Sequence, residues 1–134
     1  MKIVLDTNVL IAAFITRGVS RVVFEHCIQQ HTLVTSEFIL RELEEKLRGK
    51  FKYSVSEVDE TIWMLRSQMI VVEPETVGQS DIRDPDDIQV LGTALAGAAD
   101  CIITGDKDLL VLSPYQTIDI LQPSGFAVYE SLFR

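Results

Sequence analysis

The sequence predicts an α/β fold, a three-layer αβα sandwich with a central, mostly parallel sheet of about five strands. Three observations carry it. Short runs of apolar, often β-branched residues recur along the chain: Lys2–Leu5, Thr32–Thr35, Met69–Val72, Cys101–Thr104 and Ile118–Leu121. They are apolar throughout rather than alternating, as strands covered on both faces are. Segments with helical spacing separate them, so consecutive strands connect by crossovers rather than tight hairpins.

Each element has a local reason. Lys2–Leu5 reads as a buried strand, and Asp6-Thr7-Asn8 ends it and opens a helix through about Phe14. Gly18 breaks the chain before a second helix over Val19–Gln30, where Val22, Val23 and Cys27 keep helical spacing. Ser36 is an N-cap residue for a helix to about Arg48. Ser54 with Glu57 three residues on fits a capping box and opens a helix through Ser67. Asp84-Pro85 is the clearest start signal, with a capping carboxylate followed by proline at the first helical position. That helix runs to about Ala98, and a last one starts at Pro123.

The chain has 134 residues, 47% apolar and 24% charged, ordinary for one globular domain spanning 1–134. We find no internal repeat, low-complexity tract or linker. The longest apolar run, Val9–Ile15, is far short of the roughly 20 residues that cross a bilayer. Asp6 and Asn8 interrupt the first hydrophobic stretch, which argues against a signal peptide. Cys27 and Cys101 sit in apolar segments and read as small buried hydrophobes in a reducing compartment, here the cytoplasm. His26 and His31 have no partners at ligand spacing and read as structural or exposed.

The net charge is −8, and taken alone it points away from a nucleic-acid partner. The charge is uneven, however. Residues 1–50 carry seven basic and six acidic side chains, whereas residues 51–134 carry five basic and fourteen acidic ones. Several acids fall just beyond strands, where ligands bind in parallel α/β sheets. Asp6 follows the first strand, the helix after Ser36 carries Glu42, and Thr104-Gly105-Asp106 follows the fourth. Helix phase puts Asp87 above the buried stripe of Val90, Leu91, Ala94 and Ala98, and turns Asp86 to solvent with Gln89 and Thr93. Asp84 is accounted for as a cap, and Asp106 and Asp108 also fit a solvated turn. Phase does not choose between Glu42 and Glu44, which both flank the stripe of Ile39, Leu43 and Leu47. Converging carboxylates raise one another's pKa or recruit a cation, and an all-oxygen set suits Mg²⁺ or Mn²⁺.

Four motifs in this order resemble a PIN-domain nuclease: Ile3-Val-Leu-Asp6-Thr7-Asn8-Val-Leu, Ser36-x5-Glu42-Leu43, Asp84-Pro-Asp86-Asp87-x6-Ala94, and Thr104-Gly105-Asp106-Lys-Asp108-Leu-Leu. They cover nearly the whole chain, and the order is more specific than any one motif. Within that family the chain resembles compact PIN proteins of the VapC-like, toxin-component type. The resemblance implies a metal-dependent ribonuclease whose four acids fall on Asp6, Glu42, Asp87 and Asp106, choosing Glu42 over Glu44. It implies site-lining roles for Asn8 and Thr104 and an additional acid at Asp108. Many relatives carry a further Asp where this chain has Ile88. The resemblance also implies a homodimer and a small antitoxin partner.

The expected chemistry is hydrolysis of an RNA phosphodiester by water activated on one or two Mg²⁺ or Mn²⁺ ions. Arg41, Lys46, Arg48, Lys50 and Lys52 form a basic stretch beside Glu42 that could guide the RNA backbone. Competing readings fit less well. A phosphoaspartyl hydrolase needs a second acid where this chain has Asn8, and a receiver-like domain needs a central-strand Asp and a late Lys. The alternative is a PIN-fold module that binds RNA or protein without cutting, which the intact acids favour less.

Overall fold

The computed structural model describes residues 1–78 and 82–133. Strands β1 (Lys2–Leu5), β2 (Thr32–Ser36), β3 (Ile70–Val72), β4 (Cys101–Ile103) and β5 (Asp119–Leu121) form one sheet in the order β3-β2-β1-β4-β5. Every pairing is parallel, with Val4 opposite both Val34 and Ile102. The helices are α1 (Thr7–Ile15), α2 (Val19–Gln30), α3 (Glu37–Gly49), α4 (Val55–Gln68), α5 (Pro85–Ala96), α6 (Lys107–Leu110) and α7 (Phe126–Leu132). Ile3, Val4 and Leu5 of β1 and Cys101, Ile102 and Ile103 of β4 have no exposed surface, as central strands sandwiched by helices require.

The start signals act as anticipated. Ser36 Oγ accepts from the Ile39 amide, Ser54 and Glu57 complete the capping box, and Asp84 Oδ1 accepts from the Asp86 amide ahead of Pro85. Several strand and helix ends shift by one residue from the sequence reading, and three places differ by more. Helix α5 stops at Ala96 rather than Ala98, because Ala98 takes a left-handed φ of 51°. The last helix begins as a 3₁₀ turn over Pro123–Gly125. Residues 107–110, read as a turn, form the short helix α6 capped by Asp106.

Helix α5 lies close against both its neighbours. A Cβ at Gly97 would overlap the Val34 side chain on β2, and one at Gly92 would overlap the Glu75 carbonyl, whose residue's amide donates to Gly92 O at 3.0 Å. Close packing on two sides corrects one phase assignment. Thr93, placed towards solvent with Asp86, is fully buried, and its hydroxyl meets Ser36 Oγ at 2.9 Å. Cys27 and Cys101 are free thiols in the core, and burial pushes the Cys27 thiol up to about 12. Among the described residues no single helix is long and apolar enough to cross a membrane.

The winding direction changes at β1. From there the chain steps outward to β2 and β3 on one side, then returns to β4 and β5 on the other. The crevice beyond the carboxyl ends of β1 and β4 is therefore the topological switch point, where ligands bind in open α/β sheets.

Candidate metal centre at the carboxyl edge of the sheet

Asp6 is the first residue beyond β1 and stands in the switch-point crevice. Its backbone continues the ladder, donating from its amide to Ile103 O at 3.0 Å. Its carboxylate is buried at 8% exposure. Oδ1 accepts from the Thr7 amide at 2.8 Å, and Oδ2 accepts from the Thr104 hydroxyl at 2.7 Å. Thr104 Oγ1 in turn accepts from the Asp106 amide at 3.0 Å. A single buried threonine, the first residue after β4, thus ties the loop carrying Asp106 to the carboxylate after β1.

Asp106 caps α6, its Oδ1 accepting from the Asp108 amide at 2.9 Å. Asp87 arrives from the first turn of α5, buried at 5% exposure, as its helix phase requires. Asp87, Asp106 and Asp108 can each offer an oxygen within 4.8 Å of the other two. Asp108 is exposed and closes this group from the solvent side. A cavity of about 230 Å³ opens here, lined by Ile82, Arg83, Asp87, Asp108, Val111 and Leu112.

The electrostatics are those of buried acids brought close together. Burial is the largest cause raising the Asp87 pKa, and Asp106, Asp84 and Asp6 add to it; the group is pushed up to about 7. Asp6 is also raised, by burial first, while the Thr104 and Thr7 hydrogen bonds pull the other way. The hydroxyls of Thr7 and Thr35, buried at this same edge, have no hydrogen-bond partner among the described residues.

Glu42 lies half-buried on α3, next to Asp86, whose carboxyl is raised by burial and then by Glu42. Glu44 faces the other way, lining a pocket with Asp59, Ile62, Trp63 and Arg66 of α4. The structure therefore separates the two glutamates that helix phase could not. Asp86, assigned to solvent from phase, is exposed but borders Glu42, and sequence reasoning passed over this pairing because phase treats α5 in isolation. Within the basic stretch, Lys46 reaches the crevice: its ammonium donates to Asn8 Oδ1 at 3.3 Å and offsets a small part of the rise at Asp6 and Asp86. Lys50 instead sits over the Phe51 ring at 5.6 Å, and Arg41, Arg48 and Lys52 are exposed.

The donor set fits a hard divalent cation. The donors are carboxylate oxygens, clustered at one edge and repelling one another, with hydroxyls beside them. Among the described residues no imidazole or thiolate takes part.

The family model for the PIN domain matches residues 2–108. The chain belongs to the PIN domain family. The matched stretch runs from β1 to α6 and so contains all the acids of the crevice. No curated protein matches the chain. Among solved structures, this PIN domain shares its fold with a chain of VapBC2 from Rickettsia felis, solved bound to a DNA fragment from their promoter. The TM-score is 0.63 and the identity 14%, over 90% of this chain and 97% of that one. A chain of VapBC-1 from nontypeable Haemophilus influenzae gives a TM-score of 0.62 and 18% identity, over 92% and 99% respectively.

Proposed function

We propose that this PIN domain is an endoribonuclease that hydrolyses RNA phosphodiester bonds with Mg²⁺ or Mn²⁺. The observation that carries the reading is the meeting of Asp6, Asp87 and Asp106 in the switch-point crevice, with the Asp87 carboxyl pushed up to about 7 by burial first and then by its acidic neighbours. Repulsion of this kind costs stability, and a divalent ion relieves it.

Asp6, Asp87 and Asp106 would hold the ion, with Asp108 on the solvent side and Glu42 with Asp86 forming the adjoining acidic wall. A bound divalent ion supplies a water of lowered pKa and neutralises charge developing on the phosphate. Thr104 is a positioning residue: its hydroxyl fixes Asp6 Oδ2 and the Asp106 backbone together. Lys46, held near Asn8, offers a positive charge to the RNA backbone, and Arg83 does the same at the cavity mouth. Arg41, Arg48, Lys50 and Lys52 extend that charge along α3 and beyond it.

We read the chain as the toxin component of a cytoplasmic toxin–antitoxin pair acting as a homodimer, with residues 1–134 as one domain. The family, the fold shared with VapBC structures and the intact acids support this. Trp63, 72% exposed on α4 beside Asp59 and Glu60, suits a small antitoxin with apolar and basic side chains.

Incubation with varied RNAs and Mn²⁺ tests the nuclease reading, with EDTA and Asp6→Asn as controls. Cleavage that needs both the metal and Asp6 is expected. RNA binding without cleavage in any metal would favour the non-catalytic module instead.

A further inference from the structure

The amino edge of the sheet carries a second cluster, made from residues far apart in sequence. His31 follows the last turn of α2 and leads into β2, His26 lies on α2 itself, and Glu130 comes from α7. His26 Nε2 donates to Glu130 Oε2 at 2.7 Å, and His31 Nε2 donates to the same oxygen. The two rings stand edge to face, 5.7 Å apart, and both pack against Phe126. Two imidazole nitrogens and a carboxylate oxygen thus lie within 4.8 Å of one another. Sequence spacing gave these histidines no ligand partner, because the third member is about a hundred residues away.

We propose that His26, His31 and Glu130 form a second metal site, separate from the carboxylate crevice, that takes a borderline divalent cation such as Zn²⁺. Imidazole nitrogen favours Zn²⁺ over Mg²⁺, and two histidines with one carboxylate is an established three-ligand set for it. A tetrahedral ion with bonds of about 2.0–2.2 Å spaces its donors roughly 3.3 Å apart. The present 2.7 Å contact needs to open by about half an ångström to admit one. The fourth position has room: His26 is 42% exposed at its side chain, and a cavity of about 260 Å³ between Val22, His26, Phe126 and Glu130 reaches it. Both Nε2 atoms now place a proton on the carboxylate oxygen. An ion takes the place of those two protons: each ring then carries its proton on Nδ1, and at His31, where the Met1 ammonium now donates to Nδ1 at 3.2 Å, that amine loses one proton to solvent.

Such an ion clamps α7 to α2. Glu130 lies beyond residue 108, where the family match ends, whereas His26 and His31 lie within it. The inference is independent of the nuclease reading.

The test uses Zn²⁺ in excess Mg²⁺, on the full chain carrying Asp87→Asn to weaken the crevice. Calorimetry is expected to give one Zn²⁺ per chain. Nitrogen-15 spectra of the imidazoles are expected to show both Nε2 resonances moving on saturation. His26→Ala and Glu130→Gln each lower the affinity at least tenfold; His26→Ala alters a partly exposed side chain and keeps the test alive if Glu130→Gln fails to fold. Zn²⁺ binding that leaves the His26 and His31 resonances unmoved, or an affinity unchanged in both variants, overturns the proposal.

Discussion

The two edges of the sheet treat their acids in opposite ways. At the carboxyl edge burial, and then the neighbouring Asp106, Asp84 and Asp6, push Asp87 up to about 7. At the amino edge His31 and His26 hold the Glu130 carboxyl below its ordinary range. Both clusters are built by long-range packing, so packing does not explain the difference. One edge pairs complementary groups and stabilises the fold as it stands. The other gathers like charges at the switch point, a strain expected where a site awaits a cation.

The largest effect should come from the crevice. Asp106→Asn is expected to lower metal-dependent RNA cleavage on the order of 10³-fold, the loss of several kcal/mol of charge stabilisation. The variant should stay folded by circular dichroism. Thr104→Val is expected to weaken Mn²⁺ about 10- to 100-fold, read from the metal dependence of cleavage, with Thr104→Ser restoring most of it.

The next contrast is in stability against pH without metal. Asp87 titrates near 7 in the fold against an ordinary value of 3.8. The unfolded chain therefore gives up this proton at lower pH than the folded one. Stability from this group is full below about 4, falls as pH rises towards 7, and is level above that. Urea melts in EDTA at pH 5 and pH 8 should show the drop, and Asp87→Asn should reduce it. At the amino edge the sign reverses. Glu130→Gln removes a favourable pairing, with a loss of roughly 1 kcal/mol expected in the same melts. The smallest change should follow Arg66→Ala, which breaks an ion pair to Glu37 with both side chains nearly half exposed, at about 0.5 kcal/mol or less.

How far these features were legible in the sequence depends on range. Ser54 with Glu57, and Asp84 with Pro85, mark helix starts because capping is chemistry between residues two or three apart. Short apolar runs mark the strands, and from them the parallel sheet, because central strands bury both faces. Asp87 was legible from helix phase, since one helix packed on one sheet has one buried stripe. Thr93 was misread by the same rule, because α5 also lies against the end of β2, where Thr93 meets Ser36 and Gly97 meets Val34. Choosing Glu42 over Glu44 needed the family resemblance, and the structure separates them only through Asp86 and α4. The four-residue helix α6 is too short to carry periodicity. The His26–His31–Glu130 cluster was not legible at all: nothing local links α2 to α7.

The most direct test of a cation site at the carboxyl edge is the melting temperature at pH 8 of the wild type and Asp87→Asn, each in EDTA and in Mn²⁺. In EDTA the variant should melt higher than the wild type, because a repelling charge is gone. Mn²⁺ should raise the wild type and move the variant much less. A wild type indifferent to Mn²⁺, with Asp87→Asn no more stable than it in EDTA, would contradict the account.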